Sequence, residues 1–255
     1  MCTMMMKRDL LVAAKTVDTP KTSLIFNQKS RTAAGLAFLF FKMGWQEGVN
    51  SGINEEGLAV LSSYAGTKLP EFRNLPDTRG VANESVLSQC STVQEGLDKM
   101  EAFLKDQPSG VGGTHFLIDA SGTMAVLEHE PHQRVQKQLS KTAYLVRANH
   151  PSLLQDEIEW EDRWLRHIFA EKSLIQMTET HWLEEMKKLL SSHHPNAESA
   201  QTGALCIHNF KNKGSRSKDL TLHTTETALI FDIKTRKMIY SDGPPCHNQW
   251  SILTF

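Results

Sequence analysis

The chain has 255 residues, 40% of them hydrophobic and 22% charged, which is enough to bury a sizeable core. Its 28 basic and 29 acidic residues leave a net charge of -1, so neither nucleic acid nor an anionic membrane is indicated as a partner. The longest apolar run, residues 35–41, is far too short to span a bilayer.

In chain order, the apolar runs 2–6 and 10–14 flank Lys7-Arg8-Asp9 and predict an opening β-hairpin. Further strands are expected at 35–41 and 57–61. A helix is expected over 91–106: Ser91 or Thr92 can cap it, Glu95 completes a capping box, and Val93, Leu97, Met100 and Leu104 recur at helical spacing. Strands at 114–119 and 124–128 are joined by the turn Ala120-Ser121-Gly122-Thr123. A strand over 143–147 ends at Asn149-His150-Pro151, and helices follow at 157–170 and 179–191. Strands at 226–233 and 237–241 close the pattern. Hairpins with helices inserted between them favour an α+β fold of antiparallel sheets covered by helices. With no Gly/Ser linker, repeat or low-complexity tract, a single domain over 1–255 is the simplest organisation.

The first residues do not read as a signal peptide, since the apolar stretch is short and basic residues follow it. A cytoplasmic location with reduced thiols is therefore expected. The cysteines are Cys2, Cys90, Cys206 and Cys246. They form no C-x-x-C pair, which speaks against a zinc knuckle, a redox dithiol or a disulfide framework. Position singles out Cys2. Methionine aminopeptidase trims Met1 when a small residue follows, and trimming would put an α-amine and a thiol on one residue. With pKa values of roughly 8 and about 8.5, the amine can take the thiol proton without a histidine. Lys15 and Asp18, after the hairpin, can both reach that terminus. The cation favours thiolate, and the carboxylate can hold the amine.

The ordered set Cys2-Thr3, Lys15-x-x-Asp18, Asn54-Glu55-Glu56-Gly57-Leu58, Thr114–Gly122, Val126-Leu127-Glu128, Arg147-Ala148-Asn149-His150 and Tyr240–Cys246 resembles the linear amide hydrolases of the N-terminal-nucleophile superfamily. That group includes bile salt hydrolase, penicillin V acylase and, most like this chain at the Asn-His pair and the closing Gly-Pro-Pro-Cys, the acyl-coenzyme A:6-aminopenicillanic acid acyltransferases. The resemblance implies a four-layer αββα sandwich of two antiparallel sheets, with Met1 removed. It implies Cys2 as nucleophile and its amine as general base. Asp18 would contact the nucleophile residue, and the Asn149 side chain and the Tyr64 backbone N–H would form the oxyanion hole. Arg163 would lie near the nucleophile, with Arg166 its rival in the same helix. It further implies a small-molecule N-acyl amide as substrate, hydrolysis or acyl transfer through a thioester, no metal or organic cofactor, and a homo-oligomer as a possible assembly. Lys15 departs from the pattern, which has arginine there; lysine keeps the charge but loses the planar bidentate fork.

Two other classes compete. A degenerate relative would bind an acylated small molecule without cleaving it, and Lys15 keeps that reading open. A metal-dependent hydrolase is suggested by His129-Glu130-Pro131-His132 and His193-His194, but H-E-x-x-H spacing is missing and Pro131 would interrupt such a helix.

Overall fold

The computed structural model describes residues 2–65, 74–131, 134–150, 152–154, 161–193, 204–211 and 222–255, with backbone alone at 161–164 and 210–211. Its elements, in chain order, are β1 (Met4–Lys7), β2 (Val12–Thr19), β3 (Leu24–Lys29), β4 (Phe38–Met43), β5 (Ser51–Asn54), β6 (Ala59–Tyr64), α1 (Arg79–Gln89), α2 (Val93–Asp106), β7 (Gly113–Ile118), β8 (Met124–His129), β9 (Val135–Leu139), β10 (Tyr144–Arg147), α3 (Glu161–Gln176), α4 (Trp182–Leu190), β11 (Phe210–Lys211), β12 (Leu222–Asp232), β13 (Lys237–Ser241) and β14 (Trp250–Leu253). They build two antiparallel sheets. One runs β10-β1-β2-β12-β13-β14, with β11 beside β12; the other runs β3-β4-β5-β6-β7-β8-β9.

Strand alternation separates the layers. Met4, Met6, Ala13, Val17, Leu229 and Phe231 face the second sheet, where they meet Leu39, Phe41, Ile53, Leu61 and Phe116. Their neighbours Met5, Val12, Ala14, Val146, Ala228 and Ile230 pack under α3 and α4. On the far side of the second sheet, Phe38, Leu58, Val60, Leu117 and Leu127 receive Val86, Val93, Leu97 and Met100 of α1 and α2. The result is the αββα sandwich of two antiparallel sheets. Met4, Met5 and Met6 are all fully buried, each contributing roughly 1.5–3 kcal/mol of burial, so the methionine run is strand core.

The capping box forms as expected: the Thr92 side chain accepts from the Glu95 N–H, and Glu95 bonds back to the Thr92 N–H. The opening hairpin differs in extent. Its turn lies at Arg8–Leu11, where the Leu11 N–H bonds the Arg8 carbonyl and Leu11 takes φ 48°. β2 then continues to Thr19, so Lys15 and Asp18 belong to the strand rather than following it. The reason is β12, which pairs with β2 from Val12 to Thr19. Of the helix expected at 157–170, the part before 161 lies outside the described residues, and α3 runs on to Gln176.

The layer between α1 and the second sheet also holds a polar group of side chains. Asn83 Nδ2 donates to the Ser62 hydroxyl and to the carbonyls of Val49 and Asn50. Its Oδ1 lies 2.8 Å from His115 Nδ1, and the His115 ring is 5.3 Å from that of His129. Burial, reinforced by Arg79, pulls His129 down to about 4. Because the unfolded chain takes its proton nearer pH ~6.5, stability is fully present above that value and is lost as pH falls toward about 4. The difference amounts to about 3 kcal/mol. A His129→Gln variant should therefore show a smaller loss of urea stability between about pH 7 and about pH 4 than the parent chain. Equal losses in both would remove His129 from the acid limb.

Candidate active site

Cys2 lies half-buried just before β1. Met4 pairs with Arg147, and continuing that register by two residues sets Cys2 opposite Asn149. The Cys2 backbone N–H duly donates to Asn149 Oδ1 in a short hydrogen bond. Asn149 is buried and takes φ 59°, a left-handed conformation that asparagine tolerates better than most side chains. Its Nδ2 donates to the Tyr64 carbonyl at 2.7 Å.

Tyr64 closes β6. The Ala65 N–H bonds the Gly112 carbonyl, so the preceding Tyr64–Gly113 pair is a non-bonded one, and both backbone groups of Tyr64 point away from β7. On that side β5 pairs with β6 only as far as Ser51, opposite Leu61. The carbonyls of Ser62 and Tyr64 are instead taken by side chains, Lys15 Nζ at 2.5 Å and Asn149 Nδ2. Gly113 is required across from Tyr64, because a Cβ there would come within 2.6 Å of Arg79 Cδ and His129 Nε2.

Lys15 and Asp18 leave β2 on opposite faces. Lys15 projects into the gap between the sheets and is fully buried. Its ammonium donates to Asn50 Oδ1 at 2.7 Å as well as to Ser62 O. Burial pulls its pKa down, while the nearby Cys2 thiol and Asp18 raise it. Asp18 turns toward α3. The Thr225 hydroxyl donates to its Oδ1 at 2.7 Å, and Arg166 Nη1 stands 3.5 Å from its Oδ2. Burial pushes the Asp18 carboxyl up, opposed by Arg166, Thr225 and Lys15. Arg166 also donates to the Thr3 hydroxyl at 3.1 Å, so one guanidinium joins α3 to the residue after Cys2 and to Asp18.

Cys2, Lys15, Asp18, Tyr64 and Asn149 thus converge at one end of the sandwich. The Arg163 side chain lies outside the described residues, and Arg166, its rival in the sequence, is the arginine seen beside Asp18. Thr225 and Asn50, which carry no recognisable sequence signal, complete the surroundings. His150 is buried with its ring 5.2 Å from that of His167. His129 is buried against His115 and Arg79; His132 and His194 lie outside the described residues. Among the described residues no helix is long and apolar enough to cross a membrane.

Three solved structures share this architecture. Penicillin V acylase from Agrobacterium tumefaciens matches with 12% identity and a TM-score of 0.52, over 100% of this chain and 86% of that one. A mutant of conjugated bile acid hydrolase from Clostridium perfringens matches with 11% identity and a TM-score of 0.54, over 100% and 97%. The Caenorhabditis elegans ortholog of N-acylethanolamine-hydrolyzing acid amidase matches with 12% identity and a TM-score of 0.59, over 99% and 100%. At such identities the likeness establishes the fold alone, that of the N-terminal-nucleophile hydrolases. A comparison with curated proteins gave no match. Residues 12–244 match the acyl-coenzyme A:6-aminopenicillanic acid acyl-transferase family, and the chain belongs to that family.

Proposed function

We propose that the chain cleaves the amide C–N bond of a small N-acyl substrate through a thioester on Cys2, after removal of Met1. The observation that carries this reading is the seat of Cys2: its nitrogen is bonded to Asn149 Oδ1, the same side chain whose Nδ2 holds the Tyr64 carbonyl, with Lys15 fully buried on the neighbouring strand. Once Met1 is gone that nitrogen becomes an amine. Donating one N–H to Asn149 would leave its lone pair for the thiol of the same residue.

The amine takes the thiol proton and the sulfur adds to the substrate carbonyl, forming the C–S bond. The charge that develops on oxygen meets the Tyr64 N–H and Asn149 Nδ2. An amide nitrogen carries two hydrogens, so Asn149 can hold the Tyr64 carbonyl with one and address the oxyanion with the other. Collapse breaks the C–N bond, and the ammonium of Cys2 returns its proton to the leaving amine. Water, deprotonated by the same amine, then attacks the thioester and releases the carboxylic acid; a different nucleophile in its place gives acyl transfer. Asp18, bound by Arg166 and Thr225, acts as a counter-charge to the terminal ammonium from the helix side of β2. The chemistry uses side chains, the Tyr64 backbone N–H and the terminus.

Intact-mass spectrometry of an acid-quenched mixture with a panel of N-acyl amides tests this. The expected result is a chain lacking Met1 that gains one acyl mass, the adduct mapping to Cys2, labile to hydroxylamine and absent from Cys2→Ala. Full activity in a chain that keeps Met1, or an adduct on another cysteine, would overturn it. Saturable binding of an acylated molecule with no adduct and no product would favour the binding protein instead.

A further inference from the structure

Away from Cys2, four side chains from three separate stretches of the chain meet at one point. His193 follows α4, Cys206 and His208 lie in the segment that leads into β11, and Cys246 lies between β13 and β14. Their ligand atoms all fall within 4.8 Å of one another. His208 Nε2 is 3.3 Å from His193 Nε2, 3.2 Å from Cys246 Sγ and 3.7 Å from Cys206 Sγ.

We propose that His193, Cys206, His208 and Cys246 form a structural site for one divalent zinc ion. A tetrahedral zinc bound by two imidazoles and two thiolates has Zn–N of about 2.0–2.1 Å and Zn–S of about 2.3 Å. That geometry requires N···N edges of about 3.3 Å and N···S edges of about 3.6 Å, and the three distances above scatter around those values. Hydrogen bonding does not account for the convergence. A neutral imidazole nitrogen offers one donor or one acceptor position, yet three groups approach the same nitrogen of His208. A cation at their centre satisfies all of them. Two soft thiolates with two imidazoles select zinc over the oxygen-seeking cations, and two thiolates neutralise its charge. Four protein ligands leave no open position for substrate, which makes the site structural rather than catalytic.

The backbone around the ligands is already fixed. The Cys206 N–H bonds the Ser192 carbonyl at 3.0 Å, and the Ser191 hydroxyl donates to the Pro245 carbonyl at 2.9 Å. These bonds tie the end of α4 to both other ligand segments. Between Cys206 and His208, the Ile207 N–H donates to the Thr225 hydroxyl, which in turn donates to Asp18. The zinc would therefore clamp the end of α4 and the turn after β13 onto the strand that positions Asp18. This inference stands independently of the chemistry proposed for Cys2.

Full-length protein purified under reducing conditions, incubated with zinc chloride or cobalt chloride and desalted, provides the test. Elemental analysis should return one metal per chain. The cobalt form should show the intense visible bands of a tetrahedral ion together with thiolate-to-cobalt charge transfer in the near ultraviolet. Both signals should vanish in Cys206→Ser/Cys246→Ser, lose charge-transfer character least in His193→Gln or His208→Gln, and persist in Cys2→Ala. A parent chain that retains no metal, or a cobalt spectrum without thiolate charge transfer, would overturn the proposal, and neither measurement depends on a variant that folds. A quantitative Cys206–Cys246 disulfide that persists in the metal-treated, reduced protein would also overturn it, in favour of a redox pair.

Discussion

Asn149→Ala is expected to lower kcat by about 10²–10³, the usual effect of losing one oxyanion donor, with a smaller change in KM. The side chain is used at both ends: Oδ1 receives the Cys2 nitrogen and Nδ2 holds the Tyr64 carbonyl. Three replacements separate these roles from the backbone. Alanine removes both ends and must also adopt φ 59°, which costs a non-glycine residue roughly 1–2 kcal/mol, so its Tm should fall. Glycine removes both ends without that backbone cost; it should lose kcat as alanine does while keeping more of the Tm. Aspartate keeps an acceptor for the Cys2 nitrogen but loses the Nδ2 donor and sets a carboxylate against the Tyr64 carbonyl. It should lose at least as much kcat as alanine. If glycine restored kcat, the effect would lie in the backbone, and the oxyanion role of Asn149 would have to be abandoned.

How much of this could be read in advance varies with the physical signal. α2 was legible because capping and periodicity agree, and β7 with β8 because two apolar runs flank a Gly-bearing turn. β3 and β9 were not: at the sheet edges they read Leu24–Lys29 and Val135–Leu139, and most of their side chains are exposed. α1 carries few apolar residues and buries Arg79 and Asn83 on the face it turns to the sheet, so no clear stripe marks it. In the site, Cys2 was legible from chemistry at the terminus, and Lys15 with Asp18 from their nearness to it. That the two leave opposite faces of β2 follows from their spacing once the strand is known to run through them. The choice between Arg163 and Arg166 depends on helix phase, which sequence spacing leaves open. Of the cluster of His193, Cys206, His208 and Cys246 only His193 stood out, as half of the His193-His194 pair, because the four residues come from three distant segments. The absence of a C-x-x-C pair speaks to local spacing only, and says nothing of residues that folding brings together.

Glu128→Ala should destabilise the chain by about 3–5 kcal/mol, the usual cost of breaking a buried, hydrogen-bonded charge pair. Its carboxylate is fully buried. It accepts the N–H groups of Ser152, Leu153 and Leu154 at 2.7–3.2 Å, and Arg147 Nε stands 3.6 Å away. One side chain of β8 therefore satisfies three backbone donors just beyond Asn149 and pairs with a residue just before it. Removing the carboxylate leaves those donors and the Arg147 charge under-compensated, at about 1–3 kcal/mol for each orphaned group. Glutamine is a sharper test than alanine, since it preserves the volume but replaces one acceptor oxygen with an NH₂ that faces N–H donors. Because the same segment carries Asn149, kcat should fall in Glu128→Gln even at temperatures where the variant is fully folded, while KM changes less. A Glu128→Gln enzyme with lowered Tm but unaltered kcat would mean that the β1–β10 register alone holds Asn149 against Cys2. Glu128 would then contribute to stability and have no part in positioning Asn149.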